Sequence, residues 1–261
     1  MSLGEHFEEL RGVLLRGLMA WAAGFVVCFA LRNLLFRFLF APASSDFILY
    51  RGLCRLSEWT GWASLCPESF ESHFISTELT AQFTTHLSAS LWGGLVLAAP
   101  YIIILLYRFV APALYEKERW FSVRLTIVAS LLFFAGVAIN YLLIFPLSYR
   151  FLATYQVQED VVNTITLSSY ISSFLVLSLM MGVMFELPVV TWLLARMGFV
   201  DKKSLRHYRK HALVIIMIVA AVITPTGDAA TLCIVTLPIY LLYELSILAI
   251  PTANQKAEDH S

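Results

Sequence analysis

Long apolar runs alternate with short polar segments along most of this 261-residue chain. The longer runs reach or exceed the roughly 20 residues that a helix needs to cross a bilayer. The pattern therefore predicts an all-α, polytopic membrane protein with six transmembrane helices. The predicted spans are residues 13–31, 77–107, 120–147, 168–196, 211–224 and 231–250.

The predicted spans differ in length. The second has about 31 residues, or ~46 Å as a helix, which exceeds a hydrocarbon core of about 30 Å and requires tilting, protrusion or a bend at Pro100. The fifth has about 14 residues, or ~21 Å, and cannot cross an unperturbed bilayer. We expect the bilayer to thin beside the fifth span, or protein to cover its ends.

Lysine and arginine are concentrated in the segments on one side of the predicted spans. Of the 18 basic residues, the opposite side holds only Arg32, Arg37, Arg51, Arg55 and Arg150. The positive side faces the cytoplasm. Both termini are therefore predicted to be cytoplasmic, with one membrane domain over residues 1–251 and a cytoplasmic tail over residues 252–261.

The largest loop on the opposite side, residues 42–76, is rich in aromatic residues and contains two of the four cysteines. Its aromatic side chains are typical either of an interfacial belt or of a folded cap. Cys54 and Cys66 lie in an oxidising compartment, where they either form a disulfide or remain free thiols. The spacing of the four cysteines does not fit a metal site.

Composition agrees with a membrane protein and gives no sign of an enzyme. Hydrophobic residues make up 59% of the chain, charged residues 14%, and the mean hydropathy is +0.76. The net charge is zero, and no nucleic-acid partner is predicted. Zincin, nucleophile-elbow and P-loop motifs are absent from the sequence. An intramembrane aspartyl protease would need a second aspartate besides Asp228, and no span supplies one. We therefore predict no catalysis and no cofactor.

Glu186 and Pro188 place polar groups within the fourth span. A carboxylate near the middle of a membrane is costly unless it is neutral, partnered or in a wet cavity, and Pro188 removes a backbone donor. One interpretation is a structural, protonated glutamate. The other is a polar intramembrane site that accepts a polar guest, either in a protein-transport pore or in a proton-coupled small-molecule transporter. Most transporters have internal repeats, and none is visible here.

Two acidic groups lie on the predicted cytoplasmic face. One is Glu5, Glu8 and Glu9 beside Arg11, and the other is Glu116 and Glu118. The first group favours the start of a helix, and Glu118 has basic neighbours for a surface ion pair. The alternative is a receptor whose carboxylates bind the guanidinium groups of a basic ligand. Glu244, near the cytoplasmic end of the last span, is interpreted either as snorkelling to the interface or as functional.

Five segments resemble TatC, the multispanning subunit of the twin-arginine protein translocase. They are His6–Arg11, with the pattern H-x-x-E-L-R; Phe109–Tyr115 followed by Glu118-Arg119; Phe145-Pro146-Leu147; Phe185-Glu186-Leu187-Pro188; and Ala221–Pro225 followed by Asp228, Pro238 and Tyr243-Glu244. Together they extend over about residues 5–249 in the family's order. Their order, in a chain with six predicted spans, resembles this family throughout.

The resemblance implies a concave helical arrangement and a role in exporting folded proteins. TatC binds twin-arginine signal peptides and works with the single-span subunits TatA and TatB, with further copies of itself, and with the proton-motive force. It implies signal-peptide contacts for Glu8, Glu9, Arg11, Phe109, Pro112 and Glu118, a polar cavity at Glu186, a transport role for Pro42, and partner contacts for Thr224, Pro225, Asp228, Pro238 and Glu244. The bacterial inner membrane is the implied location. The loop 42–76 departs from the family pattern, and Asp228 is a loose match.

Overall fold

The chain is almost entirely helical in a computed structural model, which describes residues 3–62, 66, 74–110, 119–155, 164–224 and 228–250. Only the backbone is described for residues 3–6, 60, 110 and 119–123. The helices are α1 (Leu3–Ala30), α2 (Arg32–Phe40), α3 (Ile48–Thr60), α4 (Ala81–Val110), α5 (Arg119–Ile139), α6 (Phe145–Thr154), α7 (Leu167–Met184), α8 (Leu187–Arg196), α9 (Lys202–His207), α10 (Arg209–Ile223) and α11 (Ala229–Ala249).

Five of the described helical stretches are long and apolar enough to cross a membrane: Phe7–Ala30, Ala81–Phe109, Arg124–Thr154, Leu167–Arg196 and Ala229–Ala249. They correspond to five of the six predicted spans. The remaining predicted span is α10, which is apolar but has only 15 residues, or about 22 Å of helix. Its shortness is the property that the sequence pattern predicted.

The helices differ from the predicted spans at their ends and by internal irregularities. The first helix begins at Leu3, before the apolar run, because polar residues continue a helix beyond the hydrocarbon as readily as apolar ones. A π-helical turn, Asn140–Ile144, joins α5 to α6 and lets the helix continue past Pro146. The fourth run is broken at Phe185 and Glu186, and Pro188 lies in the first turn of α8, where its missing N–H is tolerated.

The chain forms two compact units. The first consists of Met1–Ala20, Ala98–Gly136 and Met180–Ser261, and the second of Trp21–Leu97 and Val137–Leu179. In the first unit, α11 packs against α8, α9 and α10. Gly136 lies close to α7, since a Cβ there would meet the carbonyl oxygen of Met181 at 2.5 Å. The small residue therefore permits a close backbone approach, as in many membrane helix pairs.

The second unit contains a close helix crossing. A Cβ built on Gly24 of α1 would lie 2.5 Å from the carbonyl oxygen of Gly94 in α4. The indole N–H of Trp21, one turn before, donates to the carbonyl of Leu91 at 2.8 Å. Two facing glycines thus let the helices touch through their backbones, and a tryptophan hydrogen bond fixes their register.

The loop after α2 is folded as a cap in the second unit. Tyr50 is 1% exposed and donates to the carbonyl of Pro146 at 2.8 Å. Phe74 starts a two-residue strand, β1 (Phe74–Ile75), which pairs in parallel with β2 (Ile165–Thr166). The Phe74 ring packs against Tyr170, with 4.7 Å between ring centroids. These aromatic residues build the cap, whereas Trp59 is 86% exposed and is free to lie in an interfacial belt.

Candidate functional site

The acidic group of α1 lies in the first unit at the start of a long helix. Glu8 and Arg11 are exposed, whereas Glu9 is half-buried. None of the three makes a hydrogen bond or ion pair with another side chain among the residues that the structure describes. The partly desolvated carboxylate of Glu9 is therefore the one best placed to bind a cation strongly.

The second acidic group falls where the chain is not described. Pro112, Glu116 and Glu118 lie in residues 111–118, outside the described residues, and only the backbone of Arg119 is described. Phe109, at the end of α4, is half-buried in the first unit. The expected pairing of Glu9 with Glu118 is therefore still a prediction.

Glu186 lies at the break between α7 and α8 in the first unit. Both carboxylate oxygens are buried and make no hydrogen bond to a described residue. Its backbone bonds to both helices across this break: the Glu186 N–H donates to the carbonyl of Val183, and the Glu186 carbonyl accepts from the N–H groups of Val189 and Val190. The backbone is therefore satisfied while the side chain is left without a partner. An unpartnered carboxyl group at this depth is unusual in a purely structural role.

The described residues of the family-implied partner-contact region are distributed from the end of α10 along α11, and their role is still a prediction. Asp228 begins α11, where its Oδ1 accepts a 2.7 Å hydrogen bond from the N–H of Thr231 as a helix cap. Thr224 is buried at the end of α10. Pro238 lies inside α11, and Glu244 is 16 residues beyond Asp228, or about 24 Å along the helix. Pro225 lies outside the described residues.

Glu244 is held by two partners near the end of α11. Its Oε2 lies 2.6 Å from Nη2 of Arg209, and its Oε1 accepts a 3.1 Å hydrogen bond from the hydroxyl of Tyr240. Arg209 starts α10, so the ion pair joins the first turn of α10 to the last turns of α11. Glu244 therefore links the end of α11 to the start of α10, and its contact with a partner subunit is still a prediction.

Cys54 and Cys66 are joined by a disulfide. Cys54 belongs to α3, which ends at Gly61 in the left-handed conformation, and Ser57 donates to the carbonyl of Trp62 at 2.8 Å. Pro42, to which the family resemblance gives a transport role, is buried in a short 3₁₀ turn after α2. Within the described residues, no cluster of His, Cys, Asp and Glu could hold a metal ion.

Sequence reasoning missed a cavity lined by hydroxyl groups in the second unit. It has a volume of about 380 Å³ between the first turns of α4 and α7. Its lining comprises Thr84, Thr85, Ser88, Trp92, Ser168, Ser169, Ile171, Ser172, Leu175 and Val176. Serines and threonines at a spacing of three or four residues could have indicated a polar face on each helix. Their meeting depends on packing that the sequence alone does not fix.

The long apolar helices define a polytopic membrane protein, and a buried glutamate whose carboxylate makes no hydrogen bond to a described residue lies at the break of its fourth span. Residues 5–238 match the family described as Sec-independent protein translocase protein (TatC). The chain belongs to this family of protein-translocase subunits, which confirms the predicted family and the prediction that it is not an enzyme.

Similar proteins cover most of the chain. The TatC of Deinococcus radiodurans is 33% identical over 94% of this chain and 84% of its own length. The TatCy of Bacillus subtilis is 32% identical over 100% of this chain and 93% of its own length. Two crystal structures described as the twin-arginine translocase receptor TatC match this fold at 27% sequence identity, with TM-scores of 0.74 and 0.75. The matches cover 94% and 93% of this chain and 97% and 98% of the two crystallised chains. The fold is therefore that of TatC.

Proposed function

We propose that this chain is the receptor and core subunit of a twin-arginine translocase in a bacterial inner membrane. It binds the twin-arginine signal peptides of folded proteins at its cytoplasmic face. With TatA, TatB and further copies of itself, it exports them using the proton-motive force. Family membership supports this role, and the similar crystal structures are themselves described as receptors.

The observation that carries the proposal is the environment of Glu9. Its side chain is half-buried at the start of α1 and has no ion-pair partner among the described residues. A guanidinium forms two parallel hydrogen bonds with a carboxylate, and such charged bonds strengthen as water is excluded. With Glu118 as a second acceptor, the two carboxylates bind two adjacent arginines. Glu8, Arg11, Phe109 and Pro112 shape the surrounding surface.

Peptide binding tests the role of Glu9. Purified chain in lipid nanodiscs should bind a peptide with an Arg-Arg pair at least about ten-fold more tightly than its Lys-Lys counterpart, because lysine cannot form the bidentate contact. Glu9→Gln should remove most of that difference, and Glu118→Gln should do the same. Glu58→Gln, an exposed glutamate of α3, is the matched control. Equal affinity of the wild-type chain for both peptides would refute the proposal.

Glu186 supports a second element of the proposal, a polar site that receives polar groups of the cargo signal inside the membrane. Glu186→Leu should reduce export in cells while signal-peptide affinity at the cytoplasmic face is retained. Glu186→Gln, which keeps a polar group, should be milder. Loss of export through loss of folded protein would show a structural role instead, which the amount of detergent-soluble chain measures.

The same glutamate is the basis of the alternative function, a proton-coupled small-molecule transporter. The alternative predicts that the purified chain alone takes up a substrate into vesicles under a pH gradient. The translocase proposal predicts no such uptake and requires the single-span partners. Export of a folded reporter by vesicles containing all three subunits, but not by the chain alone, separates the two functions.

Partner subunits are proposed to contact α10 and α11 in the first unit. Exposed apolar residues repeat every four positions on both helices, at Val214, Ile218 and Val222 and at Leu237, Leu241 and Leu245. Such stripes fit either lipid or a single transmembrane helix. Site-specific photocrosslinking from Ile218 should capture TatA or TatB, and crosslinking from exposed Leu131 of α5 should not. Equal capture from both positions would contradict this contact.

A further inference from the structure

The segment between α8 and α10 carries a dense cluster of positive charge. This basic segment, residues 196–211, holds six lysines and arginines, two histidines and a single acid, Asp201. The six cations are Arg196, Lys202, Lys203, Arg206, Arg209 and Lys210. None of them is needed for the receptor site proposed above.

Part of the basic segment is anchored to the end of α11. Arg209 is paired with Glu244 at 2.6 Å, and Nζ of Lys202 donates to the carbonyl of Ile250 at 3.0 Å. The Tyr243 hydroxyl donates to the carbonyl of Leu205 at 2.8 Å. Two of these contacts hold α9 in place and the third holds the start of α10. The remaining charges are presented from a fixed surface, which reduces the entropy lost when a ligand binds.

Three cations of the segment are available to bind an external ligand. Lys203, Arg206 and Lys210 are exposed, and none makes an ion pair with another described residue. Lys203 and Arg206 are three positions apart on α9 and so lie on the same face. Lys210 follows at the start of α10. Such a group is complementary to a ligand that carries more than one negative charge or to several adjacent anions.

The surroundings of these cations indicate the membrane surface rather than a soluble partner. Phe199 is 73% exposed and Tyr208 is 52% exposed beside them, and exposed aromatic residues next to lysine and arginine are typical of the headgroup region. The segment joins the ends of two apolar helices. Because α10 provides only about 22 Å of helix in a hydrocarbon core of about 30 Å, we expect its basic first turn to lie close to the lipid phosphates.

We propose that Lys203, Arg206 and Lys210 form a docking surface for anionic phospholipid headgroups, with the phosphates of lipids such as phosphatidylglycerol as the groups bound. Arg206 supplies a bidentate phosphate contact and the lysines supply point charges. The surface binds lipid whether or not a signal peptide is present, so the inference is independent of the receptor function.

Lipid retention measured by native mass spectrometry tests the surface on the full-length chain. The wild-type chain should retain phosphatidylglycerol in preference to phosphatidylcholine. The triple variant Lys203→Gln/Arg206→Gln/Lys210→Gln should lower the affinity for phosphatidylglycerol by roughly 100-fold, given the contribution expected of each cation near an anionic surface. Raising the salt concentration above about 0.1 M should weaken the wild-type preference more than that of the variant.

The matched control is Arg32→Gln/Arg37→Gln/Arg55→Gln, which removes three exposed cations elsewhere and the same net charge. It should keep the lipid preference. Equal loss of the lipid preference in both triple variants would overturn the proposal, since overall charge would then be the cause. A wild-type chain that shows no preference for phosphatidylglycerol would also overturn it. If the first triple variant does not fold, Arg206→Gln alone should still lower retention. Recovery of an acidic soluble protein in place of lipid would also overturn it.

Discussion

Two buried hydroxyl groups of the second unit differ in whether the fold provides them with a partner. The Tyr50 hydroxyl donates to the carbonyl of Pro146 at 2.8 Å. Burial raises the pKa of the Tyr50 phenol, so this group stays protonated and remains a donor at physiological pH. Thr85 is 4% exposed, and its Oγ1 makes no hydrogen bond with a described residue. Removing each hydroxyl should therefore have opposite effects.

Tyr50→Phe should lower the free energy of unfolding by about 0.5–1.5 kcal/mol, because a buried hydrogen bond is lost while the Pro146 carbonyl keeps its donor within α6. Denaturant titration of the purified chain in detergent, followed by tryptophan fluorescence, measures the change. Tyr101→Phe, at a tyrosine that is 44% exposed, should change stability far less. Equal effects of the two variants would show that the Tyr50 hydrogen bond contributes nothing.

Thr85→Val should leave stability unchanged or raise it by up to about 1 kcal/mol, since the change keeps the shape of the side chain and removes an unsatisfied polar group. The same titration applies. Ser90→Ala, which removes a hydroxyl bonded to the His86 carbonyl at 2.8 Å, is the control and should not stabilise. A clear loss of stability in Thr85→Val would mean that its hydroxyl has an occupant of the neighbouring cavity as partner.

At this scale the sequence predicted residue types better than their partners. Glu186 could be singled out because a carboxylate within an apolar run is costly wherever the run lies. The partner of Glu244 could not, because Arg209 is 35 positions away and meets it only through the packing of α10 on α11. The roles predicted for Glu9 and Glu118 depend on a ligand and still await peptide binding.

Among the elements, the long apolar helices could be predicted directly from the sequence, whereas the short helices could not. An apolar run of 20 or so residues is typical of a transmembrane helix and rare in other structures. In contrast, α3 and α9 are short and amphipathic or polar, and their existence depends on what they pack against. The pairing of β1 with β2 joins Phe74 to Ile165 across most of the second unit's sequence. No local pattern encodes such a contact.

The Cys54–Cys66 disulfide joins α3 to the segment after it, and its contribution to the free energy of unfolding can be measured. The cysteines are 12 positions apart, and closing a loop of that size stabilises a fold by about 3 kcal/mol in the chain-entropy account. Cys54→Ser/Cys66→Ser should lower the free energy of unfolding by about 2–3 kcal/mol. Reductant should destabilise the wild-type chain equally and the double variant not at all. Cys233→Ser, at a free exposed cysteine, is the control.

For the whole molecule, the unequal lengths of the helices decide how the chain fits a bilayer of a given thickness. The 30 residues of α4 and the 15 residues of α10 cannot both match one bilayer thickness without tilting of the first or thinning of the lipid around the second. The helices α1, α4, α5 and α7 each divide between the two units, whereas α10 lies wholly in the first. The short helix therefore lies in the same unit as Glu186 and Glu9.

Bilayer thickness should consequently affect stability. The chain should have a higher thermal midpoint in phosphatidylcholine with short acyl chains than in phosphatidylcholine with long ones, because thin bilayers need less deformation at α10. Inserting three leucines after Met217 should lengthen the helix by about 4.5 Å and shift the optimum towards thicker bilayers. The same insertion after Leu131 of the longer α5 should leave the optimal bilayer thickness unchanged. An unchanged optimum would contradict a role for α10 in thinning.

The short α10 also has an electrical consequence. Where the bilayer thins to about 22 Å, the transmembrane potential falls over a shorter distance than the usual 30 Å or so, and the electric field is about 1.4 times stronger. A charge that moves a given distance beside α10 then exchanges more energy with the potential than one that moves elsewhere in the membrane. A voltage-sensitive dye attached at Ile218 should respond more strongly than one attached at Leu131.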